Sequence, residues 1–217
     1  MNTLTKMALG MLGQLKPQAT PVTGRSSISL PAPRTEGGLP LMQALRKRHS
    51  QRAFEATGLT LHDMSDLLWA TAGVNRPELG GRTAPSALNA QEIDVYAAMA
   101  EGLYLYDAKA HALDLAARAD VRRDTGYQDF VDEAPLDLVF VADHARMKLV
   151  AASMREPYAW VAAGAMSQNC YLHCASAGLA SVIRAWMDRD ALARAMGLDP
   201  DKQVLLAQTV GWPKAGA

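Results

Sequence analysis

The stretch from Pro157 to Ala177 constrains the fold most. It is the longest apolar pattern in the chain, opened by Pro157 and closed by Gly178. Those residues suit the start and stop of a helix. Apolar or small side chains recur on every side, so the helix is expected to be buried all round. The length also suits a membrane span, but Ser167, Gln168, Asn169 and His173 lie in its middle. Cys170 and Cys174 fall in the same helix, where a disulfide has poor geometry. With His173 beside them they still lack a fourth ligand and a zinc spacing, so they read as small core residues.

Around this helix the pattern is mixed. Pro40 opens a short helical stretch with Leu41, Met42, Ala44 and Leu45. Thr60 and Asp63 have the spacing of a capping box, ahead of Leu61, Met64, Leu67, Leu68 and Thr71 on one face and a stop at Gly73. Ile93, Val95 and Ala97 alternate with polar or small residues, Glu101-Gly102 turns, and Leu103–Tyr106 returns as a hairpin. Residues 108–134 read as short helices and loops. Leu136–Ala142 is a β-prone run fit for a strand buried on both faces. Val182-Ile183 lies in a short strand, Asp188 caps a helix over Arg189–Met196, and Leu205–Val210 is a last strand. Helices and strands do not alternate strictly and a hairpin sits between them, which points to an α+β fold. Residues 1–39 hold four prolines and read as an extended arm, with Ile28 and Leu30 placed to add an edge strand or wrap a partner subunit. Residues 40–217 form the domain.

Lys plus Arg number 22 and Asp plus Glu 22, so the formal net charge is zero. Global electrostatics gives no reason to expect nucleic acid or an acidic membrane as partner. Against that balance, Arg46-Lys47-Arg48-His49-Ser50-Gln51-Arg52 packs four fixed cations into seven residues. In extended backbone Arg48, Ser50 and Arg52 point to one side. A solvated basic patch is one reading; a small anion such as phosphate, met by guanidinium forks and a hydroxyl, is the other. Pro85-Ser86-Ala87-Leu88-Asn89-Ala90-Gln91 reads first as a turn. In extended backbone its two amides, Asn89 and Gln91, would face one way, and such a pair can read a flat heterocycle. In Gly178–Ala185 small residues follow the helix end and let backbone approach a ligand closely. There is no convincing Ser–His–Asp set, zinc spacing or Gly-rich phosphate loop.

Taken together and in order, these stretches resemble the nitroreductase family of flavoproteins. Arg48-His49-Ser50-Gln51-Arg52 is similar to the family's Arg-x-Ser-x-Arg/Lys motif, and Pro85–Gln91 to its Pro-Ser-Ser-x-Asn-x-Gln segment. Gln168-Asn169 and Gly178-Leu179 resemble its central helix and the strand beneath the flavin. Val210-Gly211-Trp212-Pro213-Lys214 resembles its Val-Gly-Tyr/His-Pro ending. The likeness spans roughly residues 40–214. Within the family it is nearest to the streptolysin-biosynthesis-type dehydrogenase subgroup.

The resemblance implies a nitroreductase-like fold, with a central mixed or antiparallel sheet flanked by helices, in an intertwined homodimer. It implies FMN at the dimer interface. Arg48 and Ser50 would meet the phosphate and ribityl chain, with His49 nearby and Arg52 toward the pyrimidine edge. Pro85, Ser86, Ala87, Asn89 and Gln91 would come from the partner subunit. Backbone at Ile183, Arg184 and Ala185 would approach the flavin N5, and Lys214 would add a phosphate contact. The chain lacks the further basic residues common in the family after that point. The implied activity passes hydride from NADH or NADPH, through flavin N5, to a nitroaromatic, quinone or similar small-molecule acceptor. The alternatives are a flavin-dependent dehydrogenase of a peptide or small metabolite, or a non-catalytic flavin-binding protein. The expected location is the cytoplasm, with export through the short N-terminal apolar run as the competing reading. Tyr127, Phe130 and Tyr158 are candidates for the substrate-side wall, Trp69 and Trp160 for the core, and His62 and His111 for solvated surface.

Overall fold

The computed structural model describes residues 26–216; the apolar run near Met7 lies outside the described residues. In chain order the elements are β1 (Ser27–Ser29), α1 (Leu41–Lys47), α2 (Leu61–Ala72), β2 (Val74–Arg76), β3 (Gly81–Arg82), β4 (Ile93–Met99), β5 (Gly102–Asp107) and β6 (Ala112–Ala117). They are followed by β7 (Leu136–Asp143), α3 (Ala152–Ala177), β8 (Ala180–Arg184), α4 (Arg189–Met196) and β9 (Lys202–Gly211). Seven strands form one sheet in the order β1-β6-β5-β4-β7-β9-β8, and β2 pairs with β3 separately. Every described pairing is antiparallel, in keeping with the α+β expectation.

The strand β7 shows how the sheet is held. Leu138, Phe140 and Ala142 point into the main core with Met64, Leu67 and Leu68 of α2 and Met166, Cys170 and Cys174 of α3. Val139 and Val141 alternate to the other face, against Leu192 and Met196 of α4. The run is thus buried on both faces by helices, although its neighbours β4 and β9 are antiparallel. Thr60 closes the expected capping box with Asp63, and Asp188 accepts from the Ala191 N–H. Gly178 and Gly197 end α3 and α4 in left-handed backbone, φ +77° and +65°, where a side chain would be strained.

Three expectations need correction. The long helix begins at Ala152, and Pro157 lies inside it. Pro157 leaves the Ser153 carbonyl without its helical N–H, and both residues are exposed there, so water can take the vacant bond. Nor is the helix buried all round: Met154, Tyr158 and Val161 stand exposed along one face, Val161 at 69%. Finally, residues 108–134 contain β6, which pairs with both β5 and the edge strand β1.

His111, expected in solvent, ties the arm down. Its Nε2 lies 2.7 Å from Ser65 Oγ, and its Nδ1 2.9 Å from the Tyr106 hydroxyl. Ser65 donates its single proton to the Pro31 carbonyl at 2.6 Å, so His111 must donate from Nε2 and accept at Nδ1. Leu30 N–H donates to the His111 carbonyl. Further along, Arg34 grips Asp66 through its backbone N–H and its Nε, and Leu39 N–H donates to Ser176 Oγ. Burial lowers the His111 pKa, against opposing pulls from the Pro31 carbonyl and Asp66. A histidine held neutral in the fold binds its proton more readily once unfolded. Its contribution is therefore fully present above the ordinary imidazole pKa of about 6.5 and is lost as pH falls below it. The expected outcome is that His111→Gln melts well below wild type at pH 8. The difference in melting temperature should shrink steadily between pH 7 and pH 5; a gap constant with pH would remove His111 from this role.

Candidate functional site

The chain leaves α1 at Arg48, whose backbone is already extended (φ −61°, ψ 119°), and runs along the free edge of β8. Gln51 N–H donates to the Ser181 carbonyl at 3.0 Å. Phe54 bridges Pro213, Glu55 N–H reaches the Trp212 carbonyl and Lys214 N–H the Ala53 carbonyl. This backbone zip brings the basic stretch, the end of α3, β8 and the C-terminal ending into one place.

Tyr171 of α3 is the pivot of that place. Its hydroxyl lies 2.8 Å from Ser50 Oγ and accepts from the Ile183 N–H at 2.8 Å. The Arg48 guanidinium sits over its ring, 5.3 Å from the centroid, a cation–π geometry. Arg48 and Ser50 thus turn to the same side, as alternation in extended backbone requires. Arg46, Lys47, His49 and Gln51, with Tyr171, Gly178 and Ser181, line a cavity of about 470 Å³, and Arg48, Ser50 and Arg52 are not among its lining residues. His49 is exposed, its Nδ1 2.8 Å from the Lys47 carbonyl. Arg52 and Lys214 are exposed beside it. Arg46 and Lys47 at the cavity, with Arg48, Ser50 and the Tyr171 hydroxyl next to it, form a donor set suited to an oxyanion.

The Pro85–Gln91 segment is built differently from the expected extended pair. Leu88, Asn89 and Gln91 all have positive φ, +52°, +53° and +52°, a conformation L-residues seldom adopt. Gln91 is buried and engaged at every group. Its N–H donates to Ser86 Oγ and its carbonyl accepts from Arg146 Nη1. Its Oε1 accepts from Arg82 Nε, and its Nε2 donates to the Gly80 carbonyl and to Asn89 Oδ1. The two amides therefore meet each other rather than a common ligand face, and Gln91 fixes Asn89 in place. Pro85 is exposed, while Ser86, Ala87 and Asn89 are half-buried. Glu92 is fully buried with neither carboxylate oxygen hydrogen-bonded among the described residues, and burial pushes its carboxyl up.

Arg184, whose backbone is expected near the ligand, turns its side chain into the protein. Its guanidinium pairs with Asp137 at 2.5 Å, the two side chains 3% and 0% exposed. It also donates to the Thr125 carbonyl and to Thr209 Oγ1. Asp137 accepts from the Thr125 and Thr209 hydroxyls. Burial raises the Asp137 carboxyl, and Arg184 with the two hydroxyls opposes that. A Cβ on Gly126 would run into the Arg184 guanidinium. Phe130 packs on Phe54 at 5.7 Å, in a small core with Ala134, Ala180 and Val182. Sequence reasoning missed Tyr171, Arg82 and Asp137. Asp137 was detectable as a lone charge inside an apolar strand run.

These elements and motifs match known proteins. The nitroreductase family model matches residues 45–212, and the chain belongs to the nitroreductase family. A crystal structure of a protein described as a candidate nitroreductase from Ralstonia eutropha is 49% identical. It covers 93% of this chain and 95% of its own, with a TM-score of 0.84. A curated Methanocaldococcus jannaschii protein, provisionally named a nitroreductase, is 29% identical over 161 residues, 69% of this chain and 81% of its own length. The fold also recurs in an Escherichia coli microcin synthetase complex, at 18% identity and TM-score 0.68 over 83% of this chain and 76% of that one. The family is one of oxidoreductases. No described helix is long and apolar enough to cross a membrane.

Asp137→Ala leaves a buried guanidinium without its counter-ion. Such losses cost about 3–5 kcal/mol, measurable as a lower midpoint in urea unfolding. Asp137→Leu with Arg184→Met should recover most of that loss; no recovery would show that the two side chains do not act as a pair.

Proposed function

We propose that this chain is an FMN-dependent oxidoreductase that takes electrons from NADH or NADPH and gives them to a nitroaromatic, quinone or similar acceptor. Residues 40–217 act as the flavin-binding domain and residues 1–39 as an arm. The observation that carries the reading is the Tyr171 hydroxyl, which joins Ser50 of the basic stretch to the Ile183 peptide. One end of that arrangement suits a phosphate and the other the edge of a flat ring. Bound FMN would supply an acceptor for hydride at N5 and a donor for the second substrate.

The side chains then have separable tasks. Arg48, Ser50 and His49 hold the phosphate and ribityl chain. Arg52 brings positive charge toward the pyrimidine edge, where it favours the anionic reduced ring. Backbone at Ile183, Arg184 and Ala185 lies beside N5, steadied by Tyr171. Lys214, alone in its segment, adds charge at the phosphate end. No residue serves as a nucleophile; the protein supplies position and polarity.

The site is completed by a second copy. Tyr171 meets the basic stretch, whereas Asn169 donates to the Thr83 carbonyl, just before Pro85–Gln91. Two residues along a helix are turned by roughly 200°, so the two donor groups flank α3 on different sides. One flavin meets both when the partner supplies Ser86, Ala87 and Asn89, with Gln91 bracing them. The exposed stripe Met154, Tyr158 and Val161 along α3 gives that homodimer an apolar seam.

Arg48→Ala with Ser50→Ala removes hydrogen bonds to a charged group worth about 1.5–3 kcal/mol. FMN affinity, followed by flavin fluorescence, should fall more than about tenfold. An unchanged affinity would overturn the phosphate assignment. In the wild type the flavin bands should bleach anaerobically with NADH or NADPH. Bands that resist both donors but bleach with an oxidisable metabolite or peptide would make the protein a dehydrogenase.

A further inference from the structure

Two large aromatic side chains stay in the open beside buried anchors at Thr125, Gly126, Arg184 and Met187. Trp186 is 69% exposed and Tyr127 53%. Their ring centroids lie 5.5 Å apart with planes tilted by 59°, and Tyr127 N–H donates to the Trp186 carbonyl at 3.4 Å. Both come from segments anchored on either side. Arg184, two residues before Trp186, binds the carbonyl of Thr125, two residues before Tyr127. Gly126 closes tightly on the same guanidinium. Beyond Trp186, Met187 is buried with Leu192 and Val139, and Asp188 caps α4.

The pair is therefore presented, not merely left over. Folding has fixed the backbone on both sides, yet the two rings gain little burial from it. Exposed aromatic area of this kind marks a binding surface more often than a lone exposed side chain does. Its place is informative too. Trp186 follows Ala185 directly, and Ile183 is the residue whose peptide Tyr171 holds beside Ser50. The platform therefore begins one residue beyond the backbone assigned to the reacting edge of the flavin.

We propose that Tyr127 and Trp186 form the platform that receives the planar aromatic acceptor and so set the acceptor preference. The inference rests on the FMN reading above. Indole and phenol rings are electron-rich, and they hold an electron-poor ring by offset stacking on one and edge contact with the other. A rigid pair recognises flatness and electron deficiency more than any particular substituent. The platform thus favours nitroarenes and quinones as a class over compact or non-planar oxidants.

The test uses Trp186→Ala, Tyr127→Ala, the double variant and Trp186→Phe, each loaded with FMN. Two planar acceptors, menadione and nitrobenzene, are compared with ferricyanide, all with the same nicotinamide donor. The KM ratio of planar acceptor to ferricyanide should rise about tenfold in Trp186→Ala and further in the double variant. Trp186→Phe should restore most of it. FMN affinity and oligomeric state should stay as in wild type. Ratios equal to wild type in both alanine variants would overturn the platform while leaving the FMN reading intact. So would loss of FMN or of the dimer in Trp186→Ala, because the side chain would then serve the cofactor or the partner. A wild-type protein that binds no FMN would instead remove the reading on which the platform rests.

Discussion

The buried ion pair between Arg184 and Asp137 is the interaction on which the functional half of the structure depends. Putting two charges out of water costs several kcal/mol per ion unless geometry and extra hydrogen bonds offset it. Here one guanidinium and two threonine hydroxyls converge on Asp137 and offset part of the cost of its burial. The partners come from β7, β8, β9 and the turn at Thr125, so one residue's charge aligns three strands and a loop. The ion pair also chooses the register, because a slip of one residue would turn Arg184 to the other face of the sheet.

That choice has consequences on both faces of β8. With Arg184 turned inward, β8 keeps its outer edge open: Tyr171 holds the Ile183 peptide and Gln51 meets the Ser181 carbonyl. The cation also lies 5.8 Å from the centroid of Phe130, which fixes the small core under Phe54. The side chain thus stabilises a surface it never reaches. This is why an arginine whose side chain is buried away from the basic stretch still governs where the β8 backbone sits.

How much was legible in the sequence follows from the range of each interaction. Local signals were read well: the Thr60–Asp63 box, the Asp188 cap, the β4–β5 hairpin and the continuous β-prone run of β7 are all set within a few residues. The strand β6 escaped because Ala112-Leu113-Asp114-Leu115-Ala116-Ala117 carries little β-branched or aromatic content; its pairing with β5 and β1 makes it a strand. The helix start at Ala152 escaped because Pro157 looked like a first-turn residue, and an open face relieved the cost of placing it later. In the site, the basic stretch and the loop were visible as motifs, whereas their braces were not. Asp137 and Arg184 stand 47 residues apart in the chain, and Tyr171 and Ser50 stand 121 apart.

The loop from Ser86 to Gln91 shows the same division between motif and brace. Its three positive-φ residues each carry a cost of about 1–3 kcal/mol, so the conformation persists only if the surroundings over-determine it. Gln91 supplies that determination. Every hydrogen-bonding group it owns is satisfied within the chain, by Ser86, Arg146, Arg82, Gly80 and Asn89. Arg82 is in turn half-buried, and burial lowers its pKa, so its hydrogen bond to Gln91 is partly shielded from water. A pattern that reads in sequence as two ligand-reading amides is, in the fold, one amide committed to holding the other. The strain is kept at the tip, where a ligand can meet a loop that needs no further ordering, and it is sustained by a glutamine that stays out of reach.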